Sequence, residues 1–187
     1  DDVSVKEVQM GNHGTTTFTG DELIGEENNR EFEASTNHDW VAWDPSGGSA
    51  ASISVDSAVA NKLQVTTTTD ETIEGAKLPV EDVGDGSSTA IAAGRSYQVS
   101  MKLQMTTPGS GTMPIQVSLG GTLPSTITMT TSEVNYSKVI SPTANNTGGL
   151  LVYNTSATAT VFTVDDVSVK EIGVAEGWTT PISLTET

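Results

Sequence analysis

Between Ser96 and Thr106 the chain alternates without a break. Tyr97, Val99, Met101, Leu103 and Met105 fall on one side, and Gln98, Ser100, Lys102 and Gln104 fall on the other. A period of two is that of an extended strand with one face buried and one face in water. A helix would scatter these apolar residues around its circumference, so this stretch predicts a strand of an antiparallel sheet. The same alternation recurs in shorter pieces separated by turn residues. Ala50–Val55, Lys62–Thr68 and Thr72–Val80 are expected strands, with Leu63, Val65, Ile73 and Leu78 as core candidates. Further strands are expected around Thr15–Thr19, Trp40–Trp43, Ile115–Leu119, Ile127–Met129 and Val134–Val139. Leu150–Asn154 and Thr158–Val164 are expected to close the sheet. Helical periodicity beyond about two turns is absent. Ten or eleven short strands separated by turns predict an all-β fold, an antiparallel β-sandwich of jelly-roll type.

The final strand contains a change of parity. Phe162 and Val164 share a face, but the apolar residues that follow are Val167 and Val169. A β-bulge at Asp165–Asp166 would restore the pattern. Two carboxylates at a bulge have two readings, a cation site or an acidic edge that blocks strand addition.

This strand is also half of a repeat. DDVSVKE occupies Asp1–Glu7 and again Asp165–Glu171, about one domain-length apart. The expected organisation is therefore a closing strand of a preceding module with its linker over residues 1–20. The jelly roll is expected over 21–172, and a tail or linker carrying Trp178 over 173–187. Asp1–Val8 alternates as Asp165–Ile172 does, and an isolated strand is unstable in water. It is expected to complete a preceding module of an array or to add to the sheet of a neighbouring subunit. The opening Asp1, in place of Met, is expected of a processed or excised piece.

Composition excludes several classes of function. The formal charge is −16, from eight Lys and Arg against twenty-four Asp and Glu. Nucleic acid needs a basic face, so it is not an expected partner. An anionic membrane surface is disfavoured for the same reason. The acidity suits calcium and solubility, or a surface adapted to salt. There is no cysteine, hence no disulfide and no thiolate metal site. No apolar run reaches membrane-spanning length. The two histidines, His13 and His38, stand in loop-like text, and no hydrolase, P-loop or dinucleotide motif is present. The chain is expected not to be an enzyme.

Aromatic residues carry the binding reading, because a sugar ring offers an apolar C–H face to stack and hydroxyls that need polar neighbours. Trp40 and Trp43 have opposite parity, so at most one belongs to the core, and Tyr97 falls on the core stripe. The expected glycan-binding residues are Trp43, Gln98 and Lys102, the last two from the outer row of the long strand.

Taken in order, Phe32-Glu33, Trp40, a Gly/Ser turn, the strand with Leu63 and Val65, Gly94–Ser100 and the closing Phe162–Val169 resemble the carbohydrate-binding-module-like jelly rolls of the family 4/9/22 type. The resemblance spans about residues 23–172. Closing strands reading DDVSVKE also resemble those of modules in bacteriophage virion and tail-fibre proteins and in secreted bacterial proteins. The resemblance implies a structural calcium where the first and last strands meet, with Glu33, Asp165 and Asp166 as its ligands. Asn29-Arg30-Glu31 stands where such modules more often carry Asn-Gly-Asp. The expected function is a non-catalytic structural or adhesion module of a virion-surface, tail-fibre or extracellular filament protein, with glycan binding as an added role. The expected partners are other copies of the module, neighbouring subunits or cell-surface polysaccharide. The alternative is a carbohydrate-binding module of a secreted glycan-degrading enzyme.

Overall fold

Two antiparallel sheets face each other across one apolar core. The computed structural model describes residues 17–25, 28–32, 36–45, 51–56, 61–69, 73–83, 91–109, 111–122, 126–145 and 148–174. The expected closing strand at Asp1–Val8, the metal candidate Glu33 and the tail with Trp178 lie outside them.

The described strands are β1 (Thr17–Glu22), β2 (Val41–Trp43), β3 (Ser52–Asp56), β4 (Lys62–Thr66), β5 (Glu74–Leu78) and β6 (Ser96–Thr107). They continue with β7 (Met113–Leu119), β8 (Ile127–Met129), β9 (Val134–Ile140), β10 (Leu150–Asn154) and β11 (Val161–Val174). A single helical turn, α1 (Asn28–Glu31), and a 3-10 turn at Val80–Asp82 complete the described elements. The all-β antiparallel sandwich expected from the alternation is the observed fold.

One sheet has six strands in the order β3-β4-β11-β6-β9, with β1 also paired to β11. The other has five in the order β2-β5-β10-β7-β8. Neighbouring strands in space are mostly distant in sequence, as in a jelly roll. The long strand β6 buries Tyr97, Val99, Met101, Leu103 and Met105 while its other side stays partly exposed. The five-stranded sheet contributes Leu78, Ile115, Val117, Leu119, Leu150 and Val152 from the opposite wall.

β11 holds the six-stranded sheet together. It pairs with β6 along most of its length, while its other edge serves β4 through Val161–Val164 and β1 through Lys170–Val174. The change of partner coincides with the bulge. The step from Asp165 to Ser168 is matched by the step from Lys102 to Ser100, so β11 carries one extra residue there. Asp166 takes it up with φ of 48°, in the left-handed region where Asp is among the better tolerated residues. Val167 and Val169 are thereby returned to the core.

Two expectations need adjustment. β1 crosses the expected boundary at residue 20, because Thr17–Thr19 pair with Val174–Ile172, and β11 continues two residues past 172. Ile73, expected in the core, stands before β5 and is 40% exposed, since the strand begins one residue later. Val139 is an exposed apolar residue on β9, consistent with its parity opposite Tyr136.

Tyr136 provides a pH prediction. Its ring is buried, its hydroxyl has no hydrogen-bond partner among the described residues, and burial pushes the phenol up to about 12. In the unfolded chain the phenol ionises near 10. The folded state therefore holds the proton longer, and stability is lost as pH rises from about 10 towards 12. The slope contributed is about 1.4 kcal/mol per pH unit. Tyr136→Phe is expected to remove this slope in alkaline denaturation curves. At neutral pH it should be neutral or slightly stabilising, because an unpaired buried hydroxyl is lost. An unchanged alkaline slope would assign the effect elsewhere.

Candidate functional site

The residues chosen from the sequence do not share one surface. Trp43 is on β2, at the edge of the five-stranded sheet, whereas Gln98 and Lys102 are on β6 in the six-stranded sheet. Their outward faces lie on opposite sides of the sandwich. Gln98 donates from Nε2 to Ser137 Oγ at 3.2 Å. Lys102 forms an ion pair with Asp166 at 2.6 Å, and that hydrogen bond, then the charge itself, raises the ammonium pKa. Lys102 is thus committed to the bulge.

Trp43 has other companions. In the five-stranded sheet Trp43 pairs with Gly75, Gly75 with Tyr153, and Tyr153 with Gln116. Paired residues share a face, so these four form one row across the outer surface. Gly75 has no side chain, which leaves the indole and phenol free to meet over β5, with centroids 5.3 Å apart and planes at 53°. The rings meet tilted, between stacked and T-shaped, at a centroid distance within the range of aromatic pairs. Tyr153 Oη donates to Gln116 Oε1 at 2.6 Å, and Gln116 Nε2 donates to Thr126 Oγ1 at 3.1 Å. Burial pushes the Tyr153 phenol up, which keeps it a donor. Tyr153 is only 5% exposed yet does not join the apolar core, because Trp43 and the outer row cover it. The result is an aromatic ledge with a fixed amide beside it.

The next row along the same face is Val41, Lys77, Leu151 and Ser118. The strand positions of this sheet contain a single acidic residue, Glu74, which points inward and is 1% exposed. Its carboxylate accepts from the Thr68 hydroxyl at 2.5 Å and from the Thr68 amide. The outer face therefore carries no carboxylate on its strands.

The bulge presents a different chemistry. Asp165 is half-buried, and loss of solvent is the main cause raising its pKa. Glu22 closes the other side. Its Oε1 accepts from the Val169 amide at 2.8 Å and the Ile24 amide at 3.2 Å, and its Oε2 accepts from Ser168 Oγ at 2.5 Å. Among the described residues no three Asp, Glu or His side chains come together. With Asp166 paired to Lys102 and Glu22 engaged by β11, the bulge itself leaves Asp165 as its half-buried acid for a cation.

A shallow concavity of about 270 Å³ lies between the sheet edges β8 and β9, lined by residues such as Ile127, Val134, Asn135 and Lys138. Its one aromatic, Tyr136, is buried in the core. It lacks the outward-facing ring that makes the opposite end of the sheet a candidate for sugars.

The fold is that of the carbohydrate-binding-module jelly rolls. The solved structures to which it is similar include family 22 modules. The chain is similar to the CBM22-1 xylan-binding domain of Paenibacillus barcinonensis Xyn10C, with a TM-score of 0.58 and 21% identity over 83% of this chain and 97% of that one. It is similar to the C-terminal family 22 carbohydrate-binding module of Clostridium thermocellum Xyn10B, with a TM-score of 0.51 and 20% identity over 79% and 94% of the two chains. The CBM22-1–GH10 portion of that xylanase, solved with xylohexaose, matches with a TM-score of 0.55 and 14% identity. That match takes in 87% of this chain and 30% of the larger one. No family profile matches the sequence, and no curated protein matches it.

Sequence reasoning singled out Trp43. It missed Gln116, although the burial of Ile115 and Val117 on either side marks it as outward-facing. The alternation says that a residue points out. It does not say which strand lies beside it.

Proposed function

We propose that this chain is a non-catalytic carbohydrate-binding module that docks a polysaccharide on the outer face of its five-stranded sheet. The observation that carries the reading is the Trp43–Tyr153 ledge with Gln116 held beside it. A sugar ring stacks its C–H face on the half-buried, outward-facing indole, and the Gln116 amide meets its hydroxyls. The similar structures named above include a xylan-binding domain and a xylohexaose complex, which supports a β-linked polysaccharide as ligand. This favours a module attached to a secreted glycan-degrading enzyme, and an extracellular location with it. A display role in a virion or filament protein is the second reading, supported by the DDVSVKE repeat.

The test is calorimetric titration with xylohexaose, backed by a glycan array. Trp43→Ala is expected to weaken binding at least about tenfold, the loss typical of a central aromatic anchor. Gln98→Ala, on the other sheet, is expected to leave it unchanged. The opposite pattern would move the site to the six-stranded sheet. An array without signal would favour the display role.

The proposal extends to a structural calcium at the bulge, held by Asp165 with Glu33. The desolvated Asp165 is the motive, since calcium collects carboxylate and carbonyl oxygens. Binding to the folded state alone raises Tm, so millimolar calcium is expected to raise it and a chelator to lower it. Coincident melting curves would dismiss the metal.

A further inference from the structure

We propose that Lys77 is a carboxylate-recognising position on the aromatic face, and that the preferred ligand is an acidic polysaccharide bearing uronic acid units. This rests on the reading of that face as a glycan surface. Lys77 pairs in register with Val41 on one side and Leu151 on the other. Trp43 and Tyr153 occupy the adjacent row of the same face. Lys77 is thus a diagonal neighbour of both rings, at the roughly 7–8 Å separation of such positions. One sugar unit resting on the ledge leaves the ammonium within reach of a substituent on it or on the next unit.

Charge distribution singles this lysine out. The chain has twenty-four acidic residues and a net charge of −16, so most of its surface repels an anionic polymer. The strands of the five-stranded sheet expose no carboxylate, and Lys77 is the only basic residue among them. The six-stranded sheet differs: Lys62 pairs with Glu133, Lys102 with Asp166 and Arg95 with Glu171, and its other lysines, Lys138 and Lys170, share the sheet with the acids of β1, β3 and β11. Lys77 forms no ion pair among the described residues. Asp39, Glu81 and Asp82 lie past the strand ends on the Lys77 side of the face, in the segments before β2 and after β5. Burial, followed by the charges of Asp39 and Glu81, raises the Asp82 pKa. That acidic end sets a limit to where an anionic chain can run and directs it across the strands, over Lys77 and the ledge. The stem of Lys77 is partly covered between Val41 and Leu151, so its ammonium is presented from a supported position. A lysine reads a carboxylate as a point charge and does not demand one planar geometry. It therefore suits a uronate on a flexible polymer.

The experiment compares a glucuronic-acid-bearing xylan with the same polymer after carboxyl reduction, titrated into the full chain at low salt. The acidic polymer is expected to bind about fivefold more tightly, the upper range for an exposed charge pair. The difference is expected to shrink in 0.5 M NaCl, where the screening length is only a few ångströms. Lys77→Gln is expected to erase the difference while keeping the affinity for the reduced polymer. Lys77→Arg should retain it. Equal binding of the two polymers, or a preference that survives Lys77→Gln, overturns this inference and leaves the aromatic ledge standing. Absence of binding to either polymer overturns the glycan reading of the face and this inference with it.

Discussion

Gly75→Ala is expected to be among the most damaging single substitutions in this chain. A Cβ built there comes within 2.0 Å of the Val152 carbonyl oxygen, 2.6 Å of Tyr153 Cα and 2.7 Å of Tyr153 Cβ. Two of these three atoms are backbone, so no side-chain rotation relieves the clash. The remaining response is for β5 to move away from β10. These strands exchange pairs from Leu78–Leu150 to Glu74–Asn154, and both bury Leu78, Ala76, Leu150 and Val152 against the other sheet. A cost of about 3 kcal/mol or more is expected, at or above the top of the roughly 1–3 kcal/mol typical of substitutions that overpack a core. That is a large share of the roughly 5–15 kcal/mol by which a domain is stable. Chemical denaturation followed by tryptophan fluorescence would measure it. Gly25→Ala, where a Cβ meets nothing within 4 Å, is the reference and should change stability by less than about 0.5 kcal/mol. A Gly75→Ala protein of near-normal stability would mean that β5 and β10 do not approach so closely. The same bare backbone lets Trp43 reach Tyr153, so the variant is also expected to lose the ledge.

Trp40→Ala is expected to cost about 3–5 kcal/mol, while Trp43→Ala costs less, about 1–2 kcal/mol for the lost contact with Tyr153. The two indoles are three residues apart and have opposite fates. Trp40 has no exposed surface and packs its ring at 6.2 Å from that of Phe32, at 55°. Its backbone is fixed by a turn in which its amide donates to Asn37 O at 2.9 Å and Asn37 Nδ2 donates back to its carbonyl at 2.8 Å. Removing the ring leaves a void that this clamped backbone cannot close, and a cavity term adds to the lost transfer energy. The void would also lie just ahead of β2, the strand that carries the ledge. Trp40→Ala is therefore expected to weaken glycan binding indirectly, with a drop in Tm. Trp43→Ala is expected to remove binding with a clearly smaller drop in Tm. Melting curves and titrations of the pair separate a core residue from a contact residue. Equal losses of Tm would put Trp43 in the core as well.

Much of the fold was legible because burial on one side of a sheet imposes a period of two. β6 and β10 can be read from their alternation and their bounding turns. The bulge in β11 was also legible, since the shift from Val164 to Val167 breaks a parity that the core does not permit to break. Trp40 and Trp43 were separable by parity alone. Asp165 and Asp166 were visible as an acidic pair, but their division of labour was not. Asp166 meets Lys102 only because the bulge turns it outward over the neighbouring strand.

What the sequence by itself determined was which residues face inward and which face outward along each strand. That is local information, fixed by the backbone pleat and the hydrophobic effect. Only the tertiary structure decided which outward residues are neighbours. Trp43, Gly75, Tyr153 and Gln116 come from four strands that sit side by side, although β2 and β7 are far apart in the chain. Gln98 and Lys102, which look like companions of Trp43 in the text, lie across the sandwich from it. Strand order depends on how long connections close and which edges pair. Those choices are made by the packing of the whole core, and no single stretch of sequence contains them.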